Sequence, residues 1–387
     1  RIAGEIYFTM ALTFLELGEF EKAEFHYKAA HDYFVQADGP DSLAATGARN
    51  ELGRVYILQG RFAEAIEILE PCVEVRVRTL GRHADETLTS LANLGWAFSE
   101  FNRVPEAVPL LKEVYEQRVA QLGEEAPESL RAGNNLGLIL YKIGDYEAAA
   151  AVLEKLYEIK LRLYGDENLT TALALNNVAL IRGTQGNNAE AAILYERVLE
   201  TRRKLLGERH PSTILTLNNL ANTYSFLNQA DRTVELLREG IELGTGAIEE
   251  TSPIFLAMKS NLADMLRRRK EFKEAYELAS AAVAGIRESR GPTHPFTGLY
   301  LMRLGRIQTG LTQFEEAEAS LLEAYEITVN ALGQEDKKTK DARDALVELY
   351  EAWNKPEKAD PWRAPQTDSA DVTDATGDPS VQAPNGG

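Results

Sequence analysis

The sequence predicts an all-α chain built as a solenoid of tandem helical hairpins, and three observations predict it. The first is a set of ladders. Steps of 42 residues from Ala23 land on Ala65, Ala107, Ala149, Ala191, Thr233, Ala275, Ala317 and Ala359, with no insertion. The same step gives Gly39, Gly81, Gly123, Gly165, Gly207, Glu249, Gly291 and Gly333, and also Leu52, Leu94, Leu136, Val178, Leu220, Leu262, Leu304 and Leu346. Three ladders in one register mark a repeat protein. The second observation is periodicity: Leu173, Leu175, Val178, Ala179 and Leu180 recur at roughly the three-and-four spacing of an amphipathic helix. The third is punctuation, since each unit breaks once in the middle and once at its end.

Taken in order, the elements of a unit follow from their residues. A first helix such as 171–184 ends at Gly186 and Asn187, and a second runs over about 189–206 to Gly207, a residue type that tolerates positive φ at a helix end. Pro105 and Pro356 fall in the first turn of second helices, where a missing N–H costs little. His210-Pro211 and His294-Pro295 mark the loop to the next unit, because the residue before proline avoids helix. Gly53, Gly95, Gly137, Ala179, Ala221, Ala263 and Gly305 on first helices, with the alanine ladder on second helices, let the two approach closely. Phe20, Phe62, Tyr146, Phe272 and Phe314 are expected inside the hairpins. Eight full repeats are expected over 4–339, after a truncated edge at 1–3. A shortened ninth at 340–363 caps the open end, and 364–387 forms a disordered acidic tail rich in proline and glycine. Repeat six departs from the pattern: Thr233 and Asn228 replace alanine and glycine, and Gly240, Gly244 and Gly246 weaken its second helix, so 228–250 should be the softest stretch.

Composition excludes several classes of function. The apolar fraction is 44% and the charged fraction 26%, ordinary for a globular chain. There are 42 basic and 60 acidic residues, and the net charge of −18 repels phosphate backbones, which argues against nucleic acid. No run of 18 apolar residues offers a membrane-spanning helix. The single cysteine, Cys72, cannot form an intrachain disulfide, and a reducing, cytoplasmic location is expected. Arg1 is no initiator and no signal segment follows it, so we expect a fragment or a processed product.

Catalytic patterns are missing. No phosphate loop, dinucleotide fingerprint, zinc-protease helix or nucleophile elbow occurs, and no cofactor or metal is expected. His83, His210 and His294 fall in inter-repeat loops, and His26 and His31, five apart, do not share a helical face for a metal. Cys72 reads as a small core filler. We read the chain as no enzyme.

The glycine or alanine of the first helix, the aromatic three residues on (Phe14, Tyr56, Phe98, Tyr224), the turn glycine and the alanine of the second helix resemble the tetratricopeptide repeat. The 42-residue step, Leu217-Asn218-Asn219-Leu220-Ala221 and residues 206–213 resemble its kinesin-light-chain type. The resemblance covers 4–363. It implies a right-handed superhelix whose first helices line a concave groove for a protein or peptide partner.

That resemblance places a row of asparagines, Asn93, Asn135, Asn177, Asn219 and Asn261, in the groove. An amide offers both a donor and an acceptor, matching the backbone of an extended peptide; the same amides could instead bridge neighbouring repeats. Arg267, Arg303 and Arg306, with Lys259, Arg268, Arg269 and Lys270, form a local reversal of charge suited to an acidic or phosphorylated peptide, unless nearby carboxylates neutralise it. The family's carboxylate clamp wants lysines where Asn134, Asn176, Asn218 and Leu299 stand, so this chain departs from it. Trp96 and Tyr141 are candidate anchors for an apolar side chain.

The leading reading is a non-catalytic interaction scaffold of unspecified oligomeric state. Residues 346–359 resemble the ends of repeat arrays that follow bacterial Ser/Thr protein kinase domains, so the second reading is the recruiting arm of such a kinase, its catalytic domain upstream. The sensor arm of a signal-transduction ATPase is third, and a true kinesin light chain last, because no heptad coiled coil is present.

Overall fold

The computed structural model describes residues 1–363, so the expected disorder of the tail falls outside the described residues. The described residues form helices in tandem, in two compact units divided after Gly165. The first unit holds α1 (Ile2–Glu16), α2 (Phe20–Asp38), α3 (Leu43–Leu58), α4 (Phe62–Leu80), α5 (Asp85–Glu100), α6 (Val104–Leu122), α7 (Pro127–Lys142) and α8 (Tyr146–Tyr164). The second holds α9 (Leu169–Thr184), α10 (Asn188–Leu206), α11 (Pro211–Phe226), α12 (Ala230–Gly244), α13 (Pro253–Arg268), α14 (Phe272–Arg290), α15 (Pro295–Gly310), α16 (Phe314–Leu332), α17 (Lys337–Ala352) and the one-turn α18 (Pro356–Ala359). Among the described residues no helix is long and apolar enough to cross a membrane.

The ladders find their reasons in local geometry. Six first helices start on a capping residue: the side chains of Ser42, Asn168, His210, Ser252, His294 and Asp336 accept a backbone N–H of the first turn, whereas α5 and α7 follow Ala84 and Ala126 without one. Full-length second helices stop on the glycine ladder with φ of 77 to 91° and ψ of 158 to 177°. The sequence predicts the left-handed helical region here. The observed ψ is instead extended, a combination open almost only to glycine.

Packing explains the small residues. The alanines at 23, 65, 107, 149, 191, 275, 317 and 359 are fully buried. A side chain begun at Gly53 would come within 2.6 Å of Leu69, one at Gly137 within 2.5 Å of Leu153, and one at Gly305 within 2.5 Å of Leu321. Each first-helix glycine thus receives a leucine from its own second helix. Of the aromatics at the start of second helices, Phe20 and Phe314 pack against the core, while two others sit differently from expectation. Tyr146 is exposed, and Phe272 packs against Gly310 of the next hairpin, where an added side chain would meet its ring at 2.2 Å. Within each unit, successive helices pack in order, and first helices also touch one another: α3 with α5 and α5 with α7, then α11 with α13, α13 with α15 and α15 with α17.

Candidate binding surface

The asparagine row lies on first helices, close to where those helices meet. In the first unit Asn93 on α5 donates its amide to Asn50 Oδ1 on α3 at 3.2 Å, and Ser90 donates to the same oxygen at 2.9 Å. In the second unit Asn261 on α13 donates to Asn218 Oδ1 at 3.4 Å and to Asn222 Oδ1 at 2.9 Å. Arg303 on α15, in the same register, donates to Ser260 Oγ at 2.7 Å and Asn261 Oδ1 at 2.8 Å. The recurring bond therefore runs to the residue 43 positions back, one off the repeat step. These members of the row bridge neighbouring hairpins.

The bridge is not made everywhere. The residue 43 positions before Asn135 is Ala92, which offers no side-chain acceptor, and the half-buried amide of Asn135 has no hydrogen-bond partner among the described residues. In the second unit Asn219 Nδ2 and Asn176 Oδ1 are buried without partners, a donor and an acceptor left over at one junction. Asn177 is also buried.

The basic patch is internally paired. Arg267 and Arg268 donate to the two oxygens of Asp264 at 2.9 and 3.0 Å, and Arg306 clasps Glu348 at 3.0 and 3.2 Å. Lys259 bonds Glu250 at 2.5 Å, and Arg269 pairs with Asp231. Burial would raise the Asp264 carboxyl, but Arg267, Arg303 and Arg268 outweigh it and hold it at about 2. Asp264 stands three and four residues before Arg267 and Arg268 on α13, a spacing at which helix side chains meet, so this neutralising pairing was legible in the sequence.

The aromatic candidates are not brought together. Trp96 is half-buried on α5, whereas the Tyr141 ring on α7 lies 5.6 Å from that of Tyr146. Cys72 is fully buried, its thiol 3.3 Å from the carbonyl of Thr46, and burial pushes its pKa up. Among the described residues no group of three or more His, Cys, Asp or Glu could hold a metal ion. The role missed by sequence reading is that of His210 and His294, whose Nδ1 atoms cap α11 and α15. Their place immediately before Pro at a helix start was the available signal.

Tetratricopeptide repeat family descriptions match residues 8–70, 43–118, 128–204, 170–245 and 255–330. A "Clustered mitochondria protein homolog" of Lodderomyces elongisporus is 24% identical over 112 residues, which span 29% of this chain and only 8% of that protein. The apo form of the quorum sensor NprR from B. thuringiensis superposes with a TM-score of 0.62 at 12% identity, covering 92% of this chain and 96% of that one. BtubC (BKLC) from P. vanneervenii gives 0.50 at 19% identity over 59% and 92% of the two chains.

Proposed function

This chain belongs to the tetratricopeptide repeat family, and from that premise we propose that it is an interaction scaffold holding an extended peptide along its first helices. In this reading eight repeats over 4–339 present the row of amides, and 340–363 closes the end. The observation that carries the reading is the incomplete pairing of that row. Asn135 keeps a free amide, and Asn219 and Asn176 keep a donor and an acceptor, on the helices where the family binds its partners. Unmatched buried amides are costly unless something completes them, and a peptide backbone supplies one N–H and one C=O per residue. Arg267 and Arg306 are held by carboxylates and Arg303 by Ser260 and Asn261, so the reading rests on amides and shape.

Peptides selected from a random display library on the purified chain test this. Asn135→Ala and Asn219→Ala should weaken a selected peptide by about 0.5–1.5 kcal/mol per lost hydrogen bond. Asn93→Ala and Asn261→Ala, which remove bridges, should lower the melting temperature instead. Affinity indifferent to Asn135 and Asn219 would make the row purely a bridge between hairpins. The resemblance of 346–359 to kinase-linked arrays supports a second form of the reading, a recruiting arm of a Ser/Thr kinase. A catalytic loop encoded upstream of Arg1 would support it, and a start codon within one repeat's length would remove it.

A further inference from the structure

Second helices carry a basic residue at one register position, Arg76, Arg118, Lys160 and Arg202, and the three arginines are all but fully buried. Burying a cation is costly unless an anion or hydrogen bonds compensate it, so the partners of each decide its meaning. Arg118 on α6 is compensated within its own hairpin. Its guanidinium pairs with the Asp85 carboxylate and donates to the Asp85 carbonyl at 3.1 Å and to Thr89 Oγ1 at 3.1 Å, all on α5.

One repeat earlier, the positions equivalent to Asp85 and Thr89 are Leu43 and Gly47. Arg76 finds neither carboxylate nor hydroxyl there, and turns to the next hairpin instead. Its Nη1 donates to the Glu86 carbonyl at 2.6 Å and Ser90 Oγ at 2.8 Å. Nε is buried without a partner, and Nη2 donates to nothing among the described residues. Nη2 lies 3.9 Å from where a side chain at Gly47 would begin, and nothing else comes within 4 Å of that point. The gap is open, since Gly47 is only half-buried.

A second guanidinium, that of Arg49, stands on α3, the helix of Gly47, and reaches toward α2. Arg49 Nη2 is 3.2 Å from His31 Nε2, and no carboxylate reaches salt-bridge distance of Arg49 or Arg76 among the described residues. Both arginines act electrostatically on the buried Cys72 thiol, and burial and Arg49 together lower the pKa of His31, which favours its neutral form. At the equivalent place near Arg202, leucines at 169 and 173 replace Asp85 and Thr89, so an unfilled gap is a property of the Arg76 junction.

We propose that the gap beside Gly47, walled by Arg76, binds a carboxylate presented by a partner chain, in the place that the Thr89 side chain fills one repeat later. An arginine meets a carboxylate through charge-assisted hydrogen bonds, and Nη2 of Arg76 is the nitrogen at the gap, with the unpaired Nε shut away beside it. The site is not the amide row itself, although Ser90 joins the two by accepting from Arg76 Nη1 and donating to Asn50 Oδ1, and the short carboxylate ligand is tested with no peptide on that row.

The test follows the Arg76 Nε–Hε signal by NMR in the full chain during titration with N-acetyl-Gly-Asp-Gly-amide, with N-acetyl-Gly-Asn-Gly-amide and inorganic phosphate as the other arms. The aspartyl peptide should move the signal, and the asparaginyl peptide should not. Gly47→Asp should supply the missing carboxylate internally, melting above Gly47→Asn and abolishing the response. An unmoved signal with the aspartyl peptide overturns the proposal, as does a response to phosphate alone. Equal melting of the Asp and Asn variants also counts against it.

Discussion

Two classes of glycine punctuate this chain, and the difference between them is a matter of one torsion angle. In the turn inside each hairpin φ is positive, 74° at Gly60 and 83° at Gly186, and the same turn is made with Asn102, Asn228, Lys270, Thr312 and Asn354 at 57 to 63°. Non-glycine residues tolerate that left-handed region at modest cost. At the end of second helices φ is similar but ψ is extended, which residues with a Cβ avoid, and seven of the eight ladder positions there hold glycine. The exception, Glu249, falls where the helix has already ended at Gly244. His294 shows another residue-scale constraint. It caps α15 by accepting the Phe296 N–H at its Nδ1, 3.2 Å away, which requires an unprotonated nitrogen. Burial, then Arg290 and Lys338, lower its pKa below the usual 6.5. A lowered pKa in the folded state means that the unfolded chain takes the proton first. The contribution is therefore complete above pH 6.5 and lost as pH falls from there through the lowered value. His294→Asn keeps a capping oxygen without the titration, so its stability should fall less than the wild type's between pH 7.5 and 5.5, by urea melts. His294→Ala should cost about 1 kcal/mol at the higher pH. Equal pH slopes for wild type and the Asn variant would exclude a capping imidazole.

At the scale of elements, the junction between α12 and α13 exchanges size and polarity across a pair of positions. In the preceding junction of the same unit Arg202 and Thr213 occupy the positions that here hold Gly244 and Phe255, and Val198 and Thr216 those of Gly240 and Met258. The glycines make room: a side chain at Gly240 would meet Met258 Cε at 1.9 Å, and one at Gly244 would meet Phe255 Cε2 at 2.8 Å. Phe255 and Met258 are fully buried. The sequence alone shows only the helix-weakening side of these glycines, because the residues that fill the space lie on the next helix. A helix-interior glycine costs about 1 kcal/mol, and burying a large apolar side chain returns about 1.5–3 kcal/mol, so packing wins. Protection from hydrogen exchange in α12 should then match α10, with fast exchange confined to 245–252. The exchange of size can be tested as a pair. Gly240→Val alone should destabilise by about 1–3 kcal/mol through overpacking. Adding Met258→Thr recreates the pair found at 198 and 216 and should recover most of the loss, a coupling expected only of residues in contact. Additive losses in the double variant would rule out the exchange.

For the whole molecule, what the sequence shows and what it hides divide along the same line in fold and in site. A 42-residue step shows which residues are equivalent, so helices, turns and the buried alanines are legible from it. Contacts between hairpins obey other offsets, 43 for Asn93 with Asn50, 33 for Arg103 with Glu70 and 37 for Arg61 with Glu24. Those offsets depend on how hairpins stack, and no single ladder records them. This is why the asparagine row could be read as peptide-facing or bridging, whereas Asp264, three and four residues before Arg267 and Arg268 on one helix, was open to sequence reading. The same distribution of charge sets the response to salt. Surface pairs join hairpins in both units, including Arg103–Glu70, Lys142–Glu100, Arg238–Glu274 and Arg287–Glu323, and their side chains are partly solvated. Such pairs are each worth about 0–1 kcal/mol. Against them stands the self-repulsion of a chain with net charge −18, which acts over the whole molecule and resists the compact state. Salt weakens both, but the screening length shrinks from about 30 Å at 0.01 M to about 3 Å at 1 M. Repulsion between distant charges therefore disappears first, while pairs in direct contact keep part of their attraction. The melting temperature should rise as sodium chloride goes from about 0.01 to 0.3 M, the range over which the screening length drops below the distance between hairpins. A fall over that range would mean that the inter-hairpin pairs outweigh the net charge in holding the array together.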